Sequence, residues 1–237
     1  MYVIDISKIA HETCRQHPEL VKRKLLIFDG QLLVGQEDAG IAMQEMILDK
    51  IDNEVRAHKV VKLDFTGIKY GNVALLFSLT YDLQSLLYTR NDKMLVIANA
   101  EKWLEMEIQA AILHGDQMAR LYAREQSRVE KKKVLPKQLA ILYKNDGYSR
   151  FQMAGEIEPA VADAFEFLRV RRRVTPAQYA AYEKIPLNNA CNRLRRLYEL
   201  RLADRHQKVD APGRPLIYFL PKVDHNPLWD EIEIDET

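Results

Sequence analysis

Over the first 115 residues, short β-prone runs alternate with longer segments of helical period, and this alternation constrains the fold more than any other feature of the chain. KLLIFDGQLLV (24–34) has the pattern of two short strands around Asp29-Gly30, a strong turn dipeptide. EDAGIAMQEMILDKIDNEVRA then spaces Ile41, Met43, Met46, Ile47, Ile51 and Val55 near 3.6 residues, which predicts an amphipathic helix. VVKLDFTGI (60–68) is a further β-rich run and GNVALLFSLTYDLQSLLYT (71–89) a mostly buried helix. KMLVIANA (93–100) and AEKWLEMEIQAAILHG (100–115) complete the series as strand and helix. Strands separated by helices must pair in parallel, with right-handed crossovers. An α/β domain over residues 1–115 is the expectation.

Residues 116–136 are polar, rich in helix formers and closed by Pro136, which predicts a connecting helix. KQLAILYKNDGYSRFQMAG (137–155) has two β-prone runs flanking Asn145-Asp146-Gly147, a hairpin signal. It is grouped with the residues after it as an α+β domain over 137–223, leaving an acidic tail at 224–237. Within that domain EPAVADAFEFLRVRRR is helical, with Ala160, Val161, Ala164, Phe165, Phe167 and Leu168 toward a core. Thr175-Pro176 opens the next helix with a capping hydroxyl and proline at the first helical position. Tyr179, Ala180, Ala181 and Tyr182 have core-compatible spacing there, and Ile185-Pro186 ends it. Asn188 is expected to cap a further helix, and HQKV and LIYFLP to form two closing strands.

The longest apolar runs fall well short of the roughly 20 residues needed to cross a bilayer, and no secretory signal opens the chain. Membrane insertion is not expected, and the cytosol is the expected compartment. Cys14 and Cys191 are too few and too far apart for a disulfide framework or a CxxC metal site. The net charge of +1 conceals a strong local bias. Between Phe165 and Pro215 twelve Arg and Lys stand against five Asp and Glu, a local charge of about +7. The tail beyond Asp224 offsets it.

PLNNACNRLRRLYELRLADRH (186–206) lies in that basic region. Projected at helical steps, Ala190, Cys191, Leu194, Leu197 and Tyr198 share one side. Asn188, Asn189, Asn192, Arg195, Arg196 and Glu199 share the other. A helix face that needs only solubility favours Glu and Lys, whereas three asparagines weaken the helix and contribute nothing to packing. Asparagine pairs bidentately with adenine, and arginine with guanine or phosphate, so this face carries the chemistry of major-groove readout. Arg171-Arg172-Arg173 fits either a phosphate contact or simple complementarity to a helix C-terminus.

Taken with its neighbours, 157–221 resembles the winged helix-turn-helix family, with TPAQYAAYEKI as second helix, NNACNRLRRLYELRLADRH as recognition helix and a wing ending GRPLIYFLP. Where that family often has glycine, this chain has Arg201. The resemblance implies that Asn189, Asn192, Arg193 and Arg196 approach the groove of duplex DNA, with Asn188 and Arg195 on the same face. It also implies that Arg205, Lys208 and Arg214 of the wing hold phosphate or the minor groove. A homodimer is expected, because two linked modules double the contacts on a palindromic site, and the 116–134 helix or the α/β surface would form its interface. Winged helices also dock proteins, so a non-enzymatic adaptor or DNA-sensing subunit of a bacterial defence or stress-signalling complex is the alternative.

VVKLDFTGIKYGNVALLFSLTYDLQSLL, followed by VIANA, resembles the STAS-like domains over residues 24–115. The loop where some members carry a phosphorylated serine reads Lys69-Tyr70-Gly71-Asn72 here, so that switch is not expected. The likeness implies a partner-binding or signal-sensing module. Asp64, at the end of a strand, is the best single catalytic candidate, but no second acid, histidine or lysine accompanies it, and a capping carboxylate is the plainer reading. His114-Gly115-Asp116 lacks metal-ligand spacing, Trp103 and Phe77 have the spacing of core residues, and GxxxxGK[ST], GxGxxG and GxSxG are missing. A DNA-binding regulator without enzymatic activity, metal or cofactor is the expected function.

Overall fold

Asp5 closes the first strand and opens the first helix. It ends β1 (Tyr2–Asp5), and its carboxylate accepts from the Lys8 amide at 3.1 Å to cap α1 (Ile6–Gln16). The computed structural model describes residues 1–54, 59–90, 93–130, 140–144, 152–207 and 216–220. The first half continues through α2 (Pro18–Lys22), β2 (Leu26–Phe28), β3 (Leu32–Gly35), α3 (Glu37–Glu54), β4 (Val60–Asp64), β5 (Tyr70–Gly71), α4 (Val73–Phe77), a π-helical turn at Ser78–Asp82 and α5 (Leu83–Arg90). After β6 (Met94–Ala98), α6 (Lys102–Glu130), β7 (Ile141–Lys144) and β8 (Gln152–Ala154), the remainder is α7 (Pro159–Arg171), β9 (Arg173–Val174), α8 (Pro176–Glu183), α9 (Leu187–Glu199), β10 (Asp204–Gln207) and β11 (Leu216–Phe219). Val55, the Asn145-Asp146-Gly147 turn, Lys208, Arg214 and the 224–237 tail lie outside the described residues.

The protein is of the mixed α/β class with a parallel-rich sheet. Its main sheet runs β1-β4-β6-β7-β8, with β1, β4, β6 and β7 parallel and β8 antiparallel on β7. Each strand in this order adds to the same growing edge, so crossovers of one hand stack their helices on a single face. The alternation of side chains shows the result. Val61, Leu63, Leu95, Ile97 and Ile141 point into one buried cluster with residues of α1, α3, α4 and α6. Met94, Val96 and Leu142 point the other way, into a second cluster with Phe165 and Leu168 of α7 and Leu194 and Leu197 of α9. The sheet is therefore covered on both faces, the second by the C-terminal helices.

Several boundaries differ from the sequence expectation. The strand pair grouped with the C-terminal unit extends the first-half sheet instead, through β7 on β6. The segment 24–34 forms a hairpin as expected, with the Asp29 carboxylate accepting from the Gln31 and Leu32 amides and Gly30 at φ 96. It joins β5 in a separate three-stranded sheet rather than the main one. The helix expected to end near Gly115 and the connecting helix after it are a single 29-residue helix, α6. Gly115 lies inside it, and its missing Cβ faces the Tyr81 ring, where a methyl group would come within 2.3 Å. Trp103, expected in the core, is 65% exposed, and Tyr182 is 62% exposed.

The C-terminal elements follow the order helix, strand, helix, helix, strand, strand, with β9 antiparallel to β11 and β11 to β10. Thr175 caps α8 through a reciprocal box with Gln178, as its hydroxyl and the following proline predict. α9 ends in a Schellman turn in which the Leu202 amide donates to the Leu197 carbonyl at 2.9 Å and the Arg201 amide to the Tyr198 carbonyl at 3.1 Å. Arg201 takes the left-handed conformation there at φ 61, the geometry for which glycine is preferred.

Candidate nucleic-acid interface

α9 is a strongly two-sided helix whose inner edge is fixed by core burial. Ala190, Leu194 and Leu197 are each fully buried against α7 and α8, so the opposite side is held outward by packing at i, i+4 and i+7. Asn188, Asn189, Asn192 and Arg195 are exposed on that opposite side.

Asn188 does not cap the helix. Pro186 occupies that position, without a side-chain capping bond, and α9 starts at Leu187. The proline ring fixes the backbone angle that starts the helix, so the asparagine falls inside the first turn. Among the described residues, neither Asn188 nor Asn189 makes a side-chain hydrogen bond. The Asn192 carbonyl accepts from an Arg195 guanidinium nitrogen at 3.1 Å, and Arg195 and Arg196 lie 3.6 and 3.5 Å from the two Glu199 oxygens. These exposed contacts fix little, since such pairs contribute about 0–1 kcal/mol. They leave the three amides facing outward over the first two turns and the Arg195 guanidinium beyond them on the same side, while Arg196 is half-buried.

Two of the expected contact residues are engaged elsewhere. Arg193 is half-buried and donates to the Tyr179 hydroxyl at 3.2 Å, so it braces α9 on α8 instead of facing outward. Burial pushes the Tyr179 phenol up even with this cation beside it. Arg205 lies with its guanidinium carbon 4.1 Å from the centre of the Tyr198 ring, a stacked position at the start of β10. Lys59 and Arg201 also approach that ring, at 5.9 and 5.7 Å. Lys208 and Arg214 are outside the described residues. Leu187 precedes the expected Asn188 cap, but α9 starts two residues earlier than that cap would allow, which makes Leu187 its first residue. It is exposed at the first turn beside the asparagines.

No family model matches this chain, and none of the curated proteins or solved structures compared with it does.

The other candidates are engaged by neighbours within the chain. Asp64 accepts from the Thr66 amide and hydroxyl at 3.0 and 2.6 Å and from the Asn99 side-chain amide at 3.0 Å, and, contrary to the expectation that no lysine accompanies it, it lies 3.5 Å from the Lys62 ammonium because β4 brings the two onto one side. Burial alone would raise this carboxyl, but those donors together hold it below the ordinary carboxylate range. It ties the end of β4 to the turn after β6. His114 and Asp116 do not converge. The exposed imidazole packs edge-on to Phe77 at 5.9 Å, whereas the buried Asp116 carboxylate accepts from the Glu156 amide at 3.3 Å. Among the described residues no helix is long and apolar enough to cross a membrane.

Proposed function

We propose that this protein is a DNA-binding regulator in which α7 to β11 act as a winged helix-turn-helix and the outer face of α9 enters the major groove. The observation that carries the reading is the exposure of Asn188, Asn189 and Asn192 over the first turns of a helix whose opposite side is fully buried. These residues weaken the helix, and Asn188 and Asn189 make no described side-chain hydrogen bond that would account for them. An amide held outward in this way matches the donor and acceptor pair on the major-groove edge of adenine. The order of elements, with a short strand between the first two helices joining the last two strands, supports the same reading. Arg195 and Arg196 then contact guanine or phosphate, and Arg205 presents the edge of a guanidinium stacked on Tyr198 to the backbone.

The first-half domain fits the role of a STAS-like receiver of a signal or partner, coupled to the DNA-reading unit through the shared core on the second face of the sheet.

Binding of the full chain to a random pool of labelled duplexes, followed by selection of the retained fragments, tests this proposal. The expected outcome is an enriched sequence motif and a log affinity that falls linearly with log salt, at about 0.9 per phosphate contacted. Absence of retention at low salt refutes it.

A further inference from the structure

Beyond DNA reading, and independently of it, α6 presents a surface built for a partner. Its inner side carries Leu104, Ile108, Ala111 and Ile112 into the core. A second apolar stripe runs along the solvent side. Trp103 is 65% exposed, Met106 54%, Leu113 41% and Leu121 58%, with the small Ala110 between them. Isolated exposed apolar residues are ordinary, but these recur at steps of three and four and so line up along one face. From Trp103 to Leu113 the steps are those of a heptad seam. Exposed Gln117 and then Leu121 continue it with one extra four-residue step, which locally unwinds a supercoil without ending it. The stripe is about 27 Å long at 1.5 Å per residue.

The charges beside the stripe say what lies against it. Lys102 and Arg120 flank it on one edge, and Glu107 and Glu125 on the other. Each basic residue precedes an acidic one by five positions, the offset that joins the two edges when parallel helices pair in register. A parallel pairing about a two-fold axis therefore sets Lys102 against Glu107 of the other copy and Arg120 against Glu125, each twice. An antiparallel pairing along the same stripe instead brings basic edge to basic edge and acidic edge to acidic edge. Arg120 and Glu125 contact Glu156 and Arg128 within the chain, but these pairs are exposed and exchange at little cost.

We propose that two copies of this chain dimerise by parallel, in-register pairing of α6 along the stripe from Trp103 to Leu121. Identical residues then meet across the axis, and the acidic and basic edges alternate between copies.

Sedimentation equilibrium of the full chain at micromolar concentration reads the association itself, with a dimer expected. Leu113→Glu with Leu121→Glu should give a monomer whose far-UV circular dichroism matches the parent, because both side chains are exposed within one chain. Orientation is read by two single-cysteine variants, Met106→Cys and Leu121→Cys, each made with Cys14→Ser and Cys191→Ser. In parallel pairing each variant oxidises to a self-crosslinked dimer. Lys102→Glu should weaken association about 30-fold or less, as for two exposed pairs, and adding Glu107→Lys should restore it. A monomeric parent chain overturns the proposal, as does a dimer that survives the double glutamate variant. A dimer in which neither cysteine crosslinks to its own copy also overturns it, since that is the signature of antiparallel helices.

Discussion

Lys59, just before β4, is ion-paired with Asp204, the first residue of β10, 145 positions later in the chain. The pair spans the boundary between the first-half sheet and the C-terminal elements, beside the Tyr198 ring at 5.9 Å from the ammonium. It stands at the rim of the cluster in which Met94, Val96 and Leu142 of the sheet meet Phe165 and Leu168 of α7. Separating the two parts would expose all of these apolar side chains. The parts should consequently unfold together, with Trp103 fluorescence read in a Trp229→Phe background and far-UV circular dichroism giving coincident urea transitions. Lys59→Ala is expected to lower stability by about 1 kcal/mol, between the effects of an exposed and a buried pair. Two separated transitions would show that the shared core does not couple the parts.

Gly115 lets α6 lie against the π-helical turn, because the space beside its Cα is filled by Tyr81. A Cβ there would come within 2.3 to 2.5 Å of three ring atoms, and neither partner can withdraw from a packed core at low cost. Gly115→Ala is expected to destabilise the chain by about 1–3 kcal/mol, against the small gain that alanine gives an ordinary helix site. Combining it with Tyr81→Leu should recover part of that stability. Urea midpoints of the two single variants and the double variant measure the coupling, and strict additivity would place the clash elsewhere.

The same tyrosine predicts an alkaline limit. Burial, with Asp116 and Asp82 nearby, pushes its phenol up to about 12 from the ordinary 10.0. In the unfolded chain the group ionises near the ordinary value, while in the folded chain it keeps its proton. Its contribution is therefore fully present below pH 10.0 and is lost as pH rises toward about 12. Tyr81→Phe should remove this part of the pH dependence. Stability measured against pH for both proteins isolates it, and parallel curves through that interval would count against the assignment.

What could be foreseen from the residues depended on how far each signal reached. Local chemistry was legible, as in the Asp29-Gly30 turn and the Thr175-Pro176 helix start, because each is decided by neighbours in sequence. The outward strip on α9 was legible for the same reason, since helical spacing alone separates it from Leu194 and Leu197. The pairing of β7 with β6 was not. A hairpin signal says that two strands face each other and nothing about which third strand they join. β1 has no such signal, because four residues with one buried side chain carry no period. The reason for a glycine inside α6 is Tyr81, more than thirty positions away, and Arg193 faces inward where Tyr179 offers it a hydroxyl. Trp103 had the spacing of a core residue but belongs to the outer stripe of a helix that is apolar on two sides, and spacing cannot tell one side from the other.

The α9 strip makes a prediction that separates reading bases from holding phosphate. Asn189 and Asn192 are exposed on a helix they weaken, so replacing both by alanine should leave stability unchanged or raise it by up to about 1 kcal/mol. If their amides pair with adenine edges, the double variant loses about 1–3 kcal/mol of discrimination at each contacted position, while its salt dependence stays near that of the parent. Arg195→Ala combined with Arg196→Ala should do the opposite where those side chains hold phosphate, weakening binding to all sequences and flattening the salt slope by about 1 for each phosphate released. Binding isotherms on the selected duplex and on a scrambled one, at two salt concentrations, distinguish the cases. Equal losses on both duplexes for the asparagine variant would mean that these amides touch backbone and not bases.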